Sequence, residues 1–327
     1  MRLLVLGGSS FVGGSVVAAA VTRGAEVTVF NRGLSGGPPS GATQLVGDRT
    51  VSADLQQLSA GRWDAVVDTW AGAPYVVRDS ARTLAGQADR YVYISSRAVY
   101  ARPTPRGLDE SARTVESASD AEALDYGRDK RGGELAVEEA WGERAVLVRA
   151  GVILGPEENL GRLAHWLRRV ERGGDVLAPG PPSLPFRYVD ARDLASWVLD
   201  AVDSEVSGPY NVVNPAGDST TESFLGAAVS ATGSETELVW VDPAFVEEQG
   251  IDRWDVFPCW VPPGGGNDGL LSTDVSRAIA SGLHCRPVEE TVADTWTWLQ
   301  ADPDLDHPAF GLDPAREQSL VDLARRR

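Results

Sequence analysis

Lysine is all but missing from this chain: of its 30 basic residues 29 are arginine, and the single lysine is Lys130. An ammonium is a compact point charge with three rotatable donors, whereas guanidinium is a planar fork that stays charged, so the two are not interchangeable. The lysine stands four positions after a tyrosine, in Tyr126-Gly127-Arg128-Asp129-Lys130. Chance placement beside one of the tyrosines competes with a chemical reason, and the rest of the chain has to decide.

Other scarcities exclude whole classes of function. Cys259 and Cys285 are too few for a disulfide framework and fall in no metal-binding spacing, so both read as core or pocket-wall thiols and no metal is expected. His165, His284 and His307 are scattered without an HxH or HExxH pattern and carry no catalytic weight. Positive charge is also short: the formal charge is −17, and the basic cluster that stands out is the terminal Arg325-Arg326-Arg327. Phosphate neutralisation needs clustered cations on one face, so no nucleic-acid partner is expected. No apolar run reaches the roughly 18 residues of a membrane span. Met1 to Leu6 lead straight into a glycine turn and read as a first strand, so residence in the cytoplasm without membrane contact is the expectation.

What is present begins with Arg2-Leu3-Leu4-Val5-Leu6, an apolar run suited to a strand buried on both faces. Gly7-Gly8-Ser9-Ser10-Phe11-Val12-Gly13-Gly14 follows at once, and an alanine- and valine-rich stretch from Ser15 to Arg23 stops at Gly24. Strand, glycine turn and helix form the context of a dinucleotide-binding loop: Gly7 permits the tight turn, small residues admit a pyrophosphate, and a helix N-terminus favours the anion. Gly7, Ser9, Ser10, Phe11, Val12 and Gly13 are therefore candidate cofactor residues. A second strand over 26–30 ends in Asn31-Arg32, both candidate cofactor residues, where an NAD-binding protein usually offers a carboxylate to the ribose. An arginine there would pair with a 2′-phosphate, so NADP is favoured and NAD is the alternative. Arg32 pointing to solvent is the competing reading. Further strands over 44–46, 65–68 and 90–95, separated by helical stretches over 52–58 and 75–86, predict a parallel sheet covered by helices. Asp48, just past the third strand, is placed either to accept from the adenine amino group or to cap its loop.

Tyr91-Val92-Tyr93-Ile94 runs into Ser95-Ser96-Arg97-Ala98-Val99-Tyr100, which puts two hydroxyls at the carboxyl edge of the sheet, where ligands bind in open α/β folds. A helix expected from about Ser119-Asp120 carries Tyr126, Lys130 and Glu134 at i, i+4 and i+8, hence on one face. Gly132 and Gly133 inside it suggest close packing.

On LGGSSFVGG, SSRAVY, YGRDK with Glu134 after it, LVRAGVILGP and STDVSRAIASGL…RPVEETVADTWTWL, spread over about residues 1–299, the chain resembles the extended short-chain dehydrogenases/reductases, which include nucleotide-sugar epimerases and dehydratases. Ser10 departs from that pattern by replacing the middle glycine of the loop. The resemblance implies a Rossmann-type, doubly wound parallel sheet over residues 1–155, with 187–215 returning to it. A smaller carboxy-terminal α/β substrate lobe would comprise 156–186 and 216–300, with a tail over 301–327 that wraps the body or frays. It also implies that Tyr126 donates or accepts the proton, Lys130 supplies the charge that makes the phenol acidic and binds the nicotinamide ribose, and Ser96 binds the substrate oxygen, while the cofactor moves the hydride. A homodimer is expected by the same likeness, and some atypical relatives are non-catalytic sensors or RNA-associated.

Substrate is less legible. Trp254, Phe257 and Trp260 lie in the irregular segment 252–266, a candidate lid over an apolar substrate, with simple packing as the alternative. Aligned on Val189–Ala195, nucleotide-sugar relatives carry an arginine where this chain has Phe186; Arg187 is one place off, on the opposite face of a strand. Arg162 or Arg168 would have to substitute. The expectation is an NADP(H)-dependent oxidoreductase acting on a carbonyl or carbinol of a small, partly apolar metabolite, with a nucleotide-sugar epimerase or dehydratase as the alternative.

Overall fold

The computed structural model describes residues 1–34, 36–251, 254–302 and 310–327. Leu3 to Leu6 of β1 (Arg2–Leu6) are buried, and α1 (Phe11–Thr22) follows the glycine turn. Alternation continues through β2 (Glu26–Asn31), β3 (Thr43–Val46), α2 (Ser52–Gln56), β4 (Trp63–Asp68), α3 (Pro74–Leu84) and β5 (Ala88–Ser96). Then come α4 (Tyr126–Trp141), β6 (Ala145–Ala150), β7 (Val152–Leu154), α5 (Arg162–Glu171), β8 (Gly174–Pro179), β9 (Tyr188–Asp190), α6 (Ala191–Asp203) and β10 (Gly208–Val212). The chain ends with α7 (Thr221–Thr232), β11 (Thr236–Val241), α8 (Pro243–Glu248), α9 (Asp268–Leu271), α10 (Ser276–Ala280), α11 (Val288–Ala301) and α12 (Pro314–Ala324).

Seven strands form one parallel sheet in the order β10-β6-β5-β4-β1-β2-β3. Winding runs outward from β1 to β3 and then, after reversing, from β4 to β10, which opens a crevice at the carboxyl ends of β1 and β4. Apolar side chains cover both faces: Val16, Val17, Leu194 and Trp197 of α1 and α6 pack on one, Leu84, Val137 and Trp141 of α3 and α4 on the other. This is the Rossmann-type α/β architecture expected. A separate core joins α5, α7 and α11 to the parallel pair β8–β11 around Trp166, Phe224 and Trp296. β9 pairs with β7 and leads into α6, capped by Asp190, whose carboxylate accepts from Arg192 N.

One local expectation needs correction, and two open alternatives are decided for the described residues. α4 starts at Tyr126 and not near Ser119, because Asp125 is extended and its side chain accepts from Arg128 N at 3.1 Å, a better N-cap than anything upstream. In the lid candidate, Phe257 and Trp260 are buried in the second core, Phe257 stacking on Trp166 at 6.3 Å, while Trp254 is exposed; Asp252 and Arg253 lie outside the described residues. Packing is the reading that holds for the two buried rings. In the tail, α12 docks Leu320 and Val321 into the second core, and Arg325 reaches Asp175 and Glu237. Residues 303–309 of that tail, His307 among them, lie outside the described residues.

Candidate active site

A cleft of about 360 Å³ opens at the sheet reversal, walled by Gly7 to Ser10, Asn31, Arg32, Asp48, Arg49, Thr69 and Trp70. The turn depends on glycine at Gly7, which sits at φ 118°, and a Cβ on Gly13 would come within 2.5 Å of Gly8 N. α1 can therefore start directly against the turn. Ser10, the departure from the family pattern, lies at φ −149° in extended backbone that any residue adopts. The left-handed strain falls instead on buried Phe11, at φ 37°. No side chain caps α1 and no acidic residue stands in its first turn, so its leading N–H groups are open to an anion. These features fit a dinucleotide pyrophosphate.

Gly7, Ser9, Ser10, Asn31, Arg32 and Asp48 line the cleft; Phe11, Val12 and Gly13 form the helix start behind it. Asn31 is consumed in holding the loop: its amide donates to Gly7 O and Ser9 Oγ and accepts from Gly33 N and Gln44 Nε2. Arg32 is exposed on the wall. Asp48 Oδ1 accepts from Thr50 N at 2.9 Å and Thr50 Oγ1 at 2.7 Å, which holds its carboxyl below the usual range, with Arg32 adding to the effect. The loop-capping alternative is thus realised on a residue that also lines the cleft. Sequence reasoning missed Arg49, which forms a buried bidentate pair with Asp68 (2.6 and 2.7 Å) and lies over the Trp70 ring. Tyr91 donates to the same carboxylate at 2.6 Å. An arginine next to a loop aspartate gives no pattern that would have found it.

Lys130 is buried under the edge of this cleft. Its ammonium donates to Ile94 O at 2.6 Å and to the carbonyl of Trp70, a cleft wall, and sits 4.9 Å from the Tyr93 ring centre. Burial pushes it down to about 7, with the Asp68 carboxylate opposing. One turn earlier on α4, where Cβ atoms four residues apart are about 5–6 Å from each other, Tyr126 is 54% exposed and lines a second cavity of about 320 Å³ with Arg97, Tyr100, Arg102 and Leu270. Gly127 sets that approach, because a Cβ there would lie 2.6 Å from Ala98 O. Of the two serines, Ser95 is buried and donates to Glu134 at 2.7 Å, whereas Ser96 caps the turn Arg97–Val99 by accepting from Ala98 N. Ser96 thus caps the turn whose Ala98 lines the cavity with Tyr126, and Lys130 joins Ile94 O, two residues before Ser96, to Trp70 in the cleft wall.

A model of the NAD dependent epimerase/dehydratase family matches residues 3–214. The chain belongs to this family. Epimerase family protein SDR39U1 of Bos taurus is 28% identical over 257 residues, 71% of this chain and 81% of that protein. The 2′-dehydrokanamycin reductase of Streptomyces kanamyceticus is 32% identical over 217 residues, 63% of this chain and 59% of the reductase. Among solved structures, UDP-glucose 4-epimerase of Thermotoga maritima with UDP-glucose superposes with a TM-score of 0.70 at 18% identity, covering 93% of this chain and 100% of that one. The Bordetella bronchiseptica enzyme WbmH in complex with NAD+ gives the same TM-score and identity, with 92% and 98% covered. At such identities the likeness establishes the fold. As a member of the epimerase/dehydratase family the chain is an enzyme of the extended short-chain dehydrogenase/reductase type, with a nicotinamide dinucleotide as cofactor. Among the described residues, no helix is long and apolar enough to cross a membrane.

Proposed function

We propose that this enzyme is an NADP(H)-dependent oxidoreductase that interconverts a carbonyl and a carbinol on a small, partly apolar metabolite. The observation that carries the reading is the path along α4: Tyr126 at the substrate cavity, Lys130 one turn on and buried, and the Trp70 carbonyl that receives it in the wall of the cofactor cleft. When bound, the nicotinamide supplies or accepts the hydride. Tyr126 passes the proton at the substrate oxygen, Lys130 offsets the negative charge left on the phenol, and Ser96 donates a hydrogen bond to the same oxygen. Gly7 to Ser10 and the open end of α1 would hold the pyrophosphate, and Lys130 the nicotinamide ribose. Arg32, exposed beside a cleft whose β2 end has no carboxylate, supports NADP over NAD.

The family match favours a second reading, a nucleotide-sugar epimerase or dehydratase with tightly held NAD(P). Against it, Phe186 is stacked on Phe224 at 3.9 Å, Arg162 is committed to Glu158 and Ile153 O, and Arg168 donates to Glu171 and Leu299 O. The sugar-nucleotide pyrophosphate lacks its usual arginine. Tyr126→Phe tests the proposal: turnover of NADPH with a ketone should fall by about 10²–10⁴, with NADPH binding, read by fluorescence, unchanged. Turnover close to wild type would remove Tyr126 from the mechanism.

A further inference from the structure

Two arginines, one lining the proposed substrate cavity and one packed near it, are buried without an ion-paired carboxylate. Arg97, the residue after Ser96, is 6% exposed, and Arg187 is 5% exposed. Arg97 donates from Nη1 to Leu270 O and Thr273 Oγ1, both at 2.7 Å, and Arg187 donates to Leu271 O at 3.1 Å and Thr273 O at 3.0 Å. Their guanidinium groups thus share Thr273, and the Nε of each is buried with no hydrogen-bond partner. Elsewhere buried arginines are neutralised, Arg49 by Asp68 and Arg149 by Glu134, each through two hydrogen bonds. Burial, and for Arg97 the neighbouring charge of Arg187, push the pair down to about 9 and about 10. Desolvated like charges held by carbonyls and one hydroxyl, with no ion-paired carboxylate, are costly, and an anion arriving beside them would recover that cost.

Arg97 faces that opportunity, since it lines the 320 Å³ cavity with Tyr126, and exposed Arg102 lines it too. The one acid in that wall, Asp125, is occupied in capping α4 and lies 3.4 Å from Arg128 Nε. Apolar walls come from Ala98 and Leu270. We propose that the substrate is an oxo or hydroxy acid whose carboxylate docks in this cavity against Arg97, with Arg187 behind it raising the positive potential. A carboxylate in the cavity would meet a guanidinium charge that no acid already pairs with, and charge-assisted contacts are the strong ones. This deepens the proposed function and rests on its assignment of Tyr126: in the reducing direction the carbonyl carbon gains the hydride, its oxygen takes the Tyr126 proton, the nicotinamide is oxidised, and solvent returns the proton to Tyr126.

The test is titration of the NADP-saturated protein with malonate, its neutral isostere malonamide and inorganic phosphate, by calorimetry and thermal shift. Malonate should bind at least about tenfold tighter than malonamide and tighter than phosphate, Arg97→Met should lose about tenfold or more of that affinity, and Arg97→Lys should recover part of it. Equal binding of malonate and malonamide by the wild-type protein would overturn the inference, and needs no variant to fold; so would a folded Arg97→Met that binds malonate unchanged, and phosphate binding tighter would overturn the carboxylate assignment. Tyr126→Phe that still turns over while malonate binds at Arg97 would instead remove the mechanism and leave the anion site standing.

Discussion

The cofactor half and the substrate side of this enzyme treat buried charge in opposite ways. Around the cleft every key group is satisfied by the chain itself: Arg49 by Asp68 and Ser80, Asp68 also by Tyr91 and Trp70 N, Asn31 by four loop partners. Around residues 266–273, of which Leu270 lines the proposed substrate cavity, Arg97 Nε, Arg187 Nε and Asn267 Oδ1 are buried without partners. A cleft built for a cofactor that varies little can be finished in advance, since glycines and a helix end do the binding. A specific site is left deficient in the terms its ligand will supply.

The sharpest way to break that contrast is to remove one charge from each side. Asp68→Asn leaves Arg49 buried and unpaired and should cost about 3–5 kcal/mol in chemical denaturation. Arg187→Met removes a charge that makes no ion pair and feels only the field of Asp218, and losing two carbonyl contacts should cost no more than about 1 kcal/mol. Similar losses in the two would mean that the substrate side is as well neutralised as the cofactor side.

A smaller effect tests the link between them. The buried Lys130 ammonium has its pKa lowered in the folded protein to about 7. Below that pH both folded and unfolded chains carry the proton, so the full cost of burying the charge is present. From pH 7 up toward the ordinary lysine value near 10.4, the unfolded chain holds more protons, and wild-type stability gains as pH rises. Lys130→Met should therefore be more stable than wild type below pH 7, with the gap narrowing at higher pH, while its NADPH-linked turnover collapses. A gap that is flat with pH would mean that the lysine stays charged throughout, compensated by its carbonyls.

How much of this was legible beforehand follows the same divide. The fold was readable because strands buried on both faces are continuous apolar runs and each is punctuated by glycine or a cap. That Tyr126 and Lys130 stand one turn apart on a helix was readable because helical spacing is local. Asn31 was seen as a cofactor contact, yet its amide is spent on the loop, since hydrogen-bond partners 13 and 24 residues away leave no mark in sequence. Ser10 replaces the loop's middle glycine without strain, because the turn takes its left-handed residue at Phe11 instead. Phe257 and Trp260 suggested a lid by sitting in an irregular segment, although irregular backbone can still bury its rings. Arg97 and Arg187 were seen only as neighbours of expected positions, because lacking a partner is a property of three-dimensional surroundings.

The mildest prediction concerns cofactor choice and asks whether the cofactor half is as complete as it looks. Arg32 is exposed, so its attraction for a 2′-phosphate acts through solvent and is screened by salt, unlike the buried Arg49–Asp68 pair. Arg32→Ala should weaken NADPH about three- to tenfold at low salt and leave NADH nearly unchanged, and Arg32→Asp should weaken NADPH further because a carboxylate repels the phosphate. Raising the salt should shrink the NADPH effect of both. Equal losses for NADPH and NADH would assign Arg32 to the shape of the loop after β2 and return the cofactor preference to NAD, which Asn31, held by its own hydrogen bonds, would then have to bind through the ribose without a carboxylate.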